Sequence, residues 1–333
     1  MGRDIKDITG SSSRVHWLDR AKGAGIVLVV FGHAWLGAQA AGLIPADRLF
    51  SVVEKLIYNF HMPLFFLLSG VTFEASARRK PLVRGARDKA IRLLWPLLLW
   101  TYVFAGFRYL AGGAANSPEA LTDLFSWPLP PRDHLWFLWA LFLIQIAGLL
   151  IAVPGKTPRP GWAWLALALL AMAVVSLPGL PLGPLTVNAA LHMGLFFLGV
   201  WLARAGRLPS GPSTALKALT VFVVVQLVSF ALPESVWAFQ LVAALLSLSF
   251  ILLMPPWSGT GGAVARLLVR LGQLSMPIYL AHTLFTAASR IALFKVTTDP
   301  VIHLAVGTVA GLVGPVLLYF AVRSVASPRL LGF

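Results

Sequence analysis

The 333-residue sequence contains no cysteine at all. Disulfides, thiolate metal sites and a cysteine nucleophile are therefore excluded. The compartment stays open, because a chain without thiols suits either side of a membrane. Charge is scarce as well: Asp, Glu, Lys and Arg make up 12% of residues, about half the roughly 25% of a soluble protein. Acids are the scarcest, with 12 Asp and Glu against 27 Lys and Arg and a formal net charge of +15. What fills the chain instead is apolar. Hydrophobic residues reach 58% before the 29 glycines are counted, where soluble domains hold about 45–50% with glycine included. One globular core of this length could not hide so much apolar surface. A soluble enzyme, a disordered chain and a collagen-like fibre are excluded, and an all-α polytopic membrane protein is expected.

Ten apolar runs are long enough to cross a hydrocarbon layer about 30 Å thick. They cover roughly 23–43, 56–75, 92–111, 134–153, 161–178, 187–203, 215–232, 237–254, 271–294 and 301–322. Basic residues sort by loop. Arg3, Lys6, Arg14, Arg20 and Lys22 precede the first run, and Arg78, Arg79, Lys80, Arg84, Arg87, Lys89 and Arg92 lie between the second and third. With Lys156, Arg159, Arg204, Arg207, Lys217, Arg266, Arg270, Arg323 and Arg329, 21 of the 27 fall on one side. That asymmetry predicts an integral, multi-pass membrane protein with both termini cytoplasmic. It also makes the positive charge a topology signal rather than a nucleic-acid surface. Residues 1–22 lack the small-residue pattern of a cleaved signal and read as a cytoplasmic segment. A single transmembrane domain over 23–322 and a cytoplasmic tail over 323–333 complete the expected organisation.

Ionisable residues inside apolar spans are costly and are candidates for function. No carboxylate falls in the middle of any predicted span, which weighs against the buried acid relays of ion-coupled transporters. Histidines occur instead. His33 lies eleven residues beyond Lys22, hence about 16 Å further along a helix. A neutral imidazole is cheap to bury and suits general-base work. The competing reading is a histidine hydrogen-bonded between helices. No histidine pair has metal-ligand spacing with a carboxylate, so no metal is expected. No phosphate-cradling glycine loop appears either.

Five segments share an order. They are Lys22 with ten residues before His33; Asn59-Phe60-His61-Met62-Pro63 running to Ser69-Gly70; Lys89 and Arg92 before Leu93-Leu94-Trp95-Pro96; His134-Leu135-Trp136-Phe137-Leu138; and Leu271-Gly272-Gln273-Leu274-Ser275 with Ile278-Tyr279-Leu280-Ala281-His282. Together these resemble the acyltransferase-3 family of integral-membrane O-acyltransferases, most of all its fucose 4-O-acetylase-like branch. The likeness extends over about residues 14–285. It departs at Leu138–Phe142, where many relatives carry a glutamate and this chain has none.

The resemblance implies acyl transfer, usually acetyl, from acetyl-CoA or another acyl-CoA to a hydroxyl of a glycan or lipid-linked sugar. His33 would be the general base, with Asp19 and Lys22 on one helix face beside it. A local ion pair at a helix start is the plainer reading of those two. Donor phosphates need positive charge on the cytoplasmic face, which Lys89, Arg92, Arg87, Arg78 and Arg79 could supply. Anchoring of topology and contact with anionic membrane lipid is the alternative. Ser69 could bond the thioester carbonyl or its own helix. For the acceptor, Asn59 and His61 near a proline-bent helix, Asp133, His134 and Trp136 at the extracytoplasmic rim, and His282 are the candidates. Self-association stays open. The expected location is a bacterial cytoplasmic membrane. A transporter or flippase for a small solute or lipid-linked sugar is the competing function, and consumption of a thioester would separate the two.

Overall fold

In the computed structural model, residues 16–114, 128–152, 159–206, 208–254 and 262–333 are described. Arg3, Lys6, Arg14, Lys156 and Arg207 lie outside them. Twelve helices are present among the described residues and no strand. They are α1 (His16–Ala40), α2 (Arg48–Tyr58), α3 (His61–Ala77), α4 (Leu82–Ala111), α5 (Trp136–Ala152), α6 (Gly161–Val175), α7 (Val187–Ala205), α8 (Pro212–Ser229), α9 (Val236–Leu252), α10 (Ala263–Gln273), α11 (Ser275–Leu293) and α12 (Pro300–Val325). Seven helical stretches are long and apolar enough to span a membrane, and α6 and α9 are shorter apolar helices. The protein is an all-α polytopic membrane protein.

Every apolar run in the sequence is a helix, but two are divided. The second breaks at Asn59-Phe60 between α2 and α3. Pro63 explains the position of the break. In a continuous helix its missing N–H would leave the Asn59 carbonyl unpaired, and its ring would clash with that group. Restarting at His61 puts Pro63 in the first turn of α3, where no N–H is needed. Leu64 N then donates to the Phe60 carbonyl at 2.8 Å. The ninth run begins earlier than the expected boundary at 271, as the separate helix α10, and restarts after Leu274 as α11. Caps are visible at two starts. The Asp47 carboxylate accepts from Phe50 N at 2.9 Å, and that of Asp299 from Val301 N at 2.8 Å.

Glycines set the closest helix crossings. A Cβ on Gly70 of α3 would collide with the Phe196 carbonyl of α7, and one on Gly199 with the Leu67 carbonyl. Small residues let two backbones touch in this way. The same device joins α1 to α10, where Gly23 meets the Leu268 backbone and Gly272 meets that of Asp19. At the end of the α3–α7 contact Arg204 donates to both Glu74 carboxylate oxygens at 2.6 Å. This forked pair closes two helices 130 residues apart in sequence.

α11 packs on α12 and α1. It is not apolar enough to count as a span, because it carries His282, Thr286 and Arg290 along its length. All three are buried within the bundle. Its polar residues face protein rather than lipid, which is how a helix tolerates them in such surroundings.

Candidate active site

Three histidines from distant parts of the chain meet in one cluster. The ring centroids of His33 (α1) and His282 (α11) are 4.9 Å apart, those of His134 and His282 are 4.9 Å apart, and those of His33 and His134 are 5.7 Å apart. His134 and His282 are buried. The cluster borders a cavity of about 510 Å³ lined by His33, Gly37, Tyr58, Phe104, Arg108, Asp133, His134, Trp136, Thr286 and Arg290, among others.

Hydrogen bonds fix the tautomers of two of these rings. His282 Nδ1 lies 2.7 Å from the Tyr279 carbonyl and 3.0 Å from that of Ile278. Carbonyls only accept, so Nδ1 carries the hydrogen and Nε2 is left with a lone pair. That Nε2 lies 3.2 Å from His33 Nδ1, and His33 Nδ1 is also 2.9 Å from the Val29 carbonyl. Both neighbours are acceptors, so His33 Nδ1 is the donor. The lone pair of neutral His33 is therefore on Nε2, the nitrogen required of a base. His61 and His192 use the same helical device, donating Nδ1–H to Ile57 at 2.8 Å and to Asn188 at 2.7 Å.

The surrounding groups hold the cluster rigid. The Tyr279 hydroxyl donates to the His134 carbonyl. Arg108 Nη1 donates to Asp133 Oδ2 at 2.5 Å. Asp133 has φ 50°, a conformation uncommon outside glycine and found where the surrounding structure enforces it. Its carboxylate is exposed while the next residue, His134, points inward at 4% exposure. His134 is thus buried beside His33 rather than placed at a rim with Asp133. The sign of that inward turn, a left-handed aspartate, cannot be read from residue order.

Of the expected site residues, His33, Asp133, His134 and Trp136 line the cavity and His282 touches His33. His61 is one ring removed, edge-on to Tyr58 at 4.5 Å. The rest lie elsewhere. Asn59 donates to Ser229 Oγ at 3.1 Å, tying the α2–α3 break to α8. Ser69 accepts from Gln145 Nε2 at 3.0 Å. Asp19 is buried at the start of α1, with Gln273 Nε2 at 3.4 Å from Oδ2, and Lys22 is half-buried one turn on. Arg78 donates to the Ala152 carbonyl at 2.7 Å. Lys89 lies over the Phe73 ring at 5.6 Å, and Arg79, Arg87 and Arg92 are exposed. Sequence reasoning assigned no site role to Tyr58, Phe104, Arg108 or Arg290. The two arginines did carry a signal, as basic residues on the side of the chain where few occur.

Three of the five ordered motifs, those that hold His33, His134 and His282, meet at the cavity, and comparison with known proteins decides the family. The acyltransferase-3 family model, described as an acyltransferase domain, matches residues 15–320. The chain belongs to this family. Among curated proteins it is similar to the nodulation protein NolL of Mesorhizobium japonicum, 33% identical over 141 residues, covering 40% of this chain and 35% of that protein. NolL of Sinorhizobium fredii is 33% identical over 138 residues, again covering 40% of this chain and 35% of the relative. The matched stretch spans about a third of the length of either relative. Among the described residues no group of three His, Cys, Asp or Glu is arranged to hold a metal ion.

Proposed function

We propose that the protein is a membrane O-acyltransferase, in the simplest case an O-acetyltransferase, with His33 as general base. The donor is acetyl-CoA or another acyl-CoA from the cytoplasm. The acceptor is a hydroxyl of an extracytoplasmic glycan or lipid-linked sugar. The protein sits in a bacterial cytoplasmic membrane with both termini inside.

One observation carries this reading: His33 borders a cavity with its Nδ1–H committed to the Val29 carbonyl and His282 Nε2. Its Nε2 then takes the acceptor hydroxyl proton as that oxygen attacks the thioester carbon. Collapse of the tetrahedral intermediate expels the CoA thiolate, which recovers the proton from His33. While His33 is charged, His282 Nε2 accepts from its Nδ1–H and holds the ring in place, the part an aspartate plays in a serine hydrolase. A positioned base of this kind contributes about 10²–10⁴-fold. No buried carboxylate is required, in keeping with the absence of one at Leu138–Phe142.

Supporting roles follow from position. Lys89, Arg92, Arg87, Arg79 and Arg78 cluster at the start of α4 and the end of α3 and would meet donor phosphates, with Lys22 and Asp19 on the same side. Trp136 and Asp133 line the cavity near Tyr58 and Phe104, and this mixture of aromatic faces and a carboxylate suits a sugar. His61, Asn59 and Ser69 would shape the site through α3.

The test is direct. Purified protein is incubated with labelled acetyl-CoA and a panel of methyl hexosides. Label on sugar, or slow CoA release without sugar, supports the reading. Solute movement into proteoliposomes without thioester consumption would replace it with a transporter.

A further inference from the structure

Two helices meet at the cavity, and the residues they give to its wall recur at helical spacing. From α1 come His33 and Gly37, one turn apart, and from α11 come Thr283, Ala287 and Arg290. Arg290 is buried, at 8% exposure. A Cβ on Gly37 would collide with its Nη1, so glycine at 37 is what lets the guanidinium come so close to α1. Gly37 lies four residues after His33, which puts the guanidinium one helical turn, about 6 Å, beyond the base along α1. With both termini cytoplasmic, α1 runs outward, and Arg290 is on the acceptor's side of His33.

Charge sets the character of this wall. The described residues that line the cavity include three charged ones, Arg108, Asp133 and Arg290. Arg108 and Asp133 form an ion pair at 2.5 Å, so their charges offset. With the histidines neutral, Arg290 leaves the wall net positive, and low-dielectric surroundings focus such a field. Arginine stays protonated, and its planar fork fits a carboxylate or phosphate through two parallel hydrogen bonds. An arginine inside an apolar bundle is costly and marks a substrate path. The cavity, at about 510 Å³, is of a size that holds a small ligand.

We infer that the acceptor sugar carries an anionic group, a carboxylate or a phosphate, and that Arg290 selects for it. This rests on the acyl-transfer reading with His33 as base. The hydroxyl to be acylated lies at His33 Nε2, while the anion lies one turn outward at the guanidinium. A sugar ring bridges the two. In a uronic acid the carboxylate neighbours the ring hydroxyls, and in a glycosyl phosphate the anion hangs from the anomeric carbon. A neutral hexoside enters the same cavity without that second anchor and reacts from a less defined position.

The experiment follows acyl transfer from labelled acetyl-CoA by the full chain. The acceptors are methyl hexosides of the gluco, galacto and manno series, the matching uronic acids and the matching 1-phosphates. For an anionic member of one series, wild-type kcat/KM should exceed that of its neutral counterpart by about 10–100-fold, the worth of a hydrogen bond to a charged group. Advantage for the uronic acid or for the 1-phosphate tells which anion is used, and either supports the inference. Arg290→Gln should bring the ratio close to one, mainly through KM for the anionic sugar, and Arg290→Lys should retain part of it. If Arg290→Gln does not fold, Gly37→Ala displaces the guanidinium, the end of a flexible side chain, and should lower the same ratio. An arginine that only supports the bundle would slow both sugars together and leave their ratio unchanged, which would overturn the assignment. A raised KM for acetyl-CoA with the sugar ratio intact would make Arg290 a donor contact and overturn it too. Equal wild-type kcat/KM for neutral and anionic sugars, with CoA released, removes this inference alone. No thioester consumption with any sugar or with water removes the acyl-transfer reading, and this inference with it.

Discussion

The histidine cavity and the basic patch at the junction of α3 and α4 are both polar regions in an apolar bundle, and they are built in opposite ways. In the cavity His134 and His282 are buried and His33 is half-buried, and the hydrogen bonds are specific: His33 to Val29, His282 to Tyr279 and Arg108 to the exposed Asp133. The basic patch is loose. Lys80 pairs with Asp88, both about half exposed, and Arg79, Arg87 and Arg92 reach outward. Burial makes each lone pair and each N–H in the cavity consequential, because an unmet partner there is expensive. Exposed charges act through an averaged field that salt screens. On the proposed reading, chemistry belongs to the first region and electrostatic attraction to the second.

The sharpest test of this contrast is His33→Ala. CoA release should fall by about 10²–10⁴ with the thermal unfolding midpoint unchanged, since the ring is only half-buried. An active variant would move the chemistry elsewhere. Next is His282. His282→Phe removes the acceptor beside His33 Nδ1 and should lower kcat by about 10–100-fold, the effect seen for partners that orient a metal-bound imidazole. KM for acetyl-CoA should hold, and His282→Gln, whose Oε1 can accept the same hydrogen, should restore much of the loss. Equal damage from Phe and Gln would reduce His282 to packing.

Between the two regions lies the Glu74–Arg204 pair, more buried than the rest of the basic patch. Glu74→Ala leaves Arg204 without its forked acceptor and should cost about 1.5 kcal/mol, because the partly exposed guanidinium can turn to water, read as a shifted midpoint in denaturant titration. The smallest effects are expected in the patch. Lys89→Ala and Arg92→Ala should each raise KM for acetyl-CoA by about fivefold, the worth of roughly 1 kcal/mol for a partly exposed charge contact. That penalty should shrink as salt rises, with kcat nearly constant. A kcat effect as large as that of His33 would erase the distinction between the two regions.

Much of this organisation is legible in residue order. Each apolar run became a helix because a backbone in lipid must bond to itself. His33 stood out because it interrupts such a run at a set distance from Lys22. What was hidden depends on partners far away in the chain. Asn59 faces Ser229, Glu74 faces Arg204, and Asp19 meets Gln273 across the Gly272 contact. No local pattern encodes those pairings. The break before α3 was half legible: Pro63 announced a distortion, but its place, two residues before the helix restarts its bonding, follows from carbonyl bookkeeping along the whole segment.

By itself, the order of residues determined the class of protein, the helical runs and the histidine at the heart of the first helix, because hydrophobicity and backbone bonding are local properties. Only the tertiary structure decided which nitrogen of that histidine keeps its lone pair, and that His134 turns in beside it. A proton's location on an imidazole depends on the atoms placed around the ring, and those come from α1, α5 and α11 only once the helices have packed.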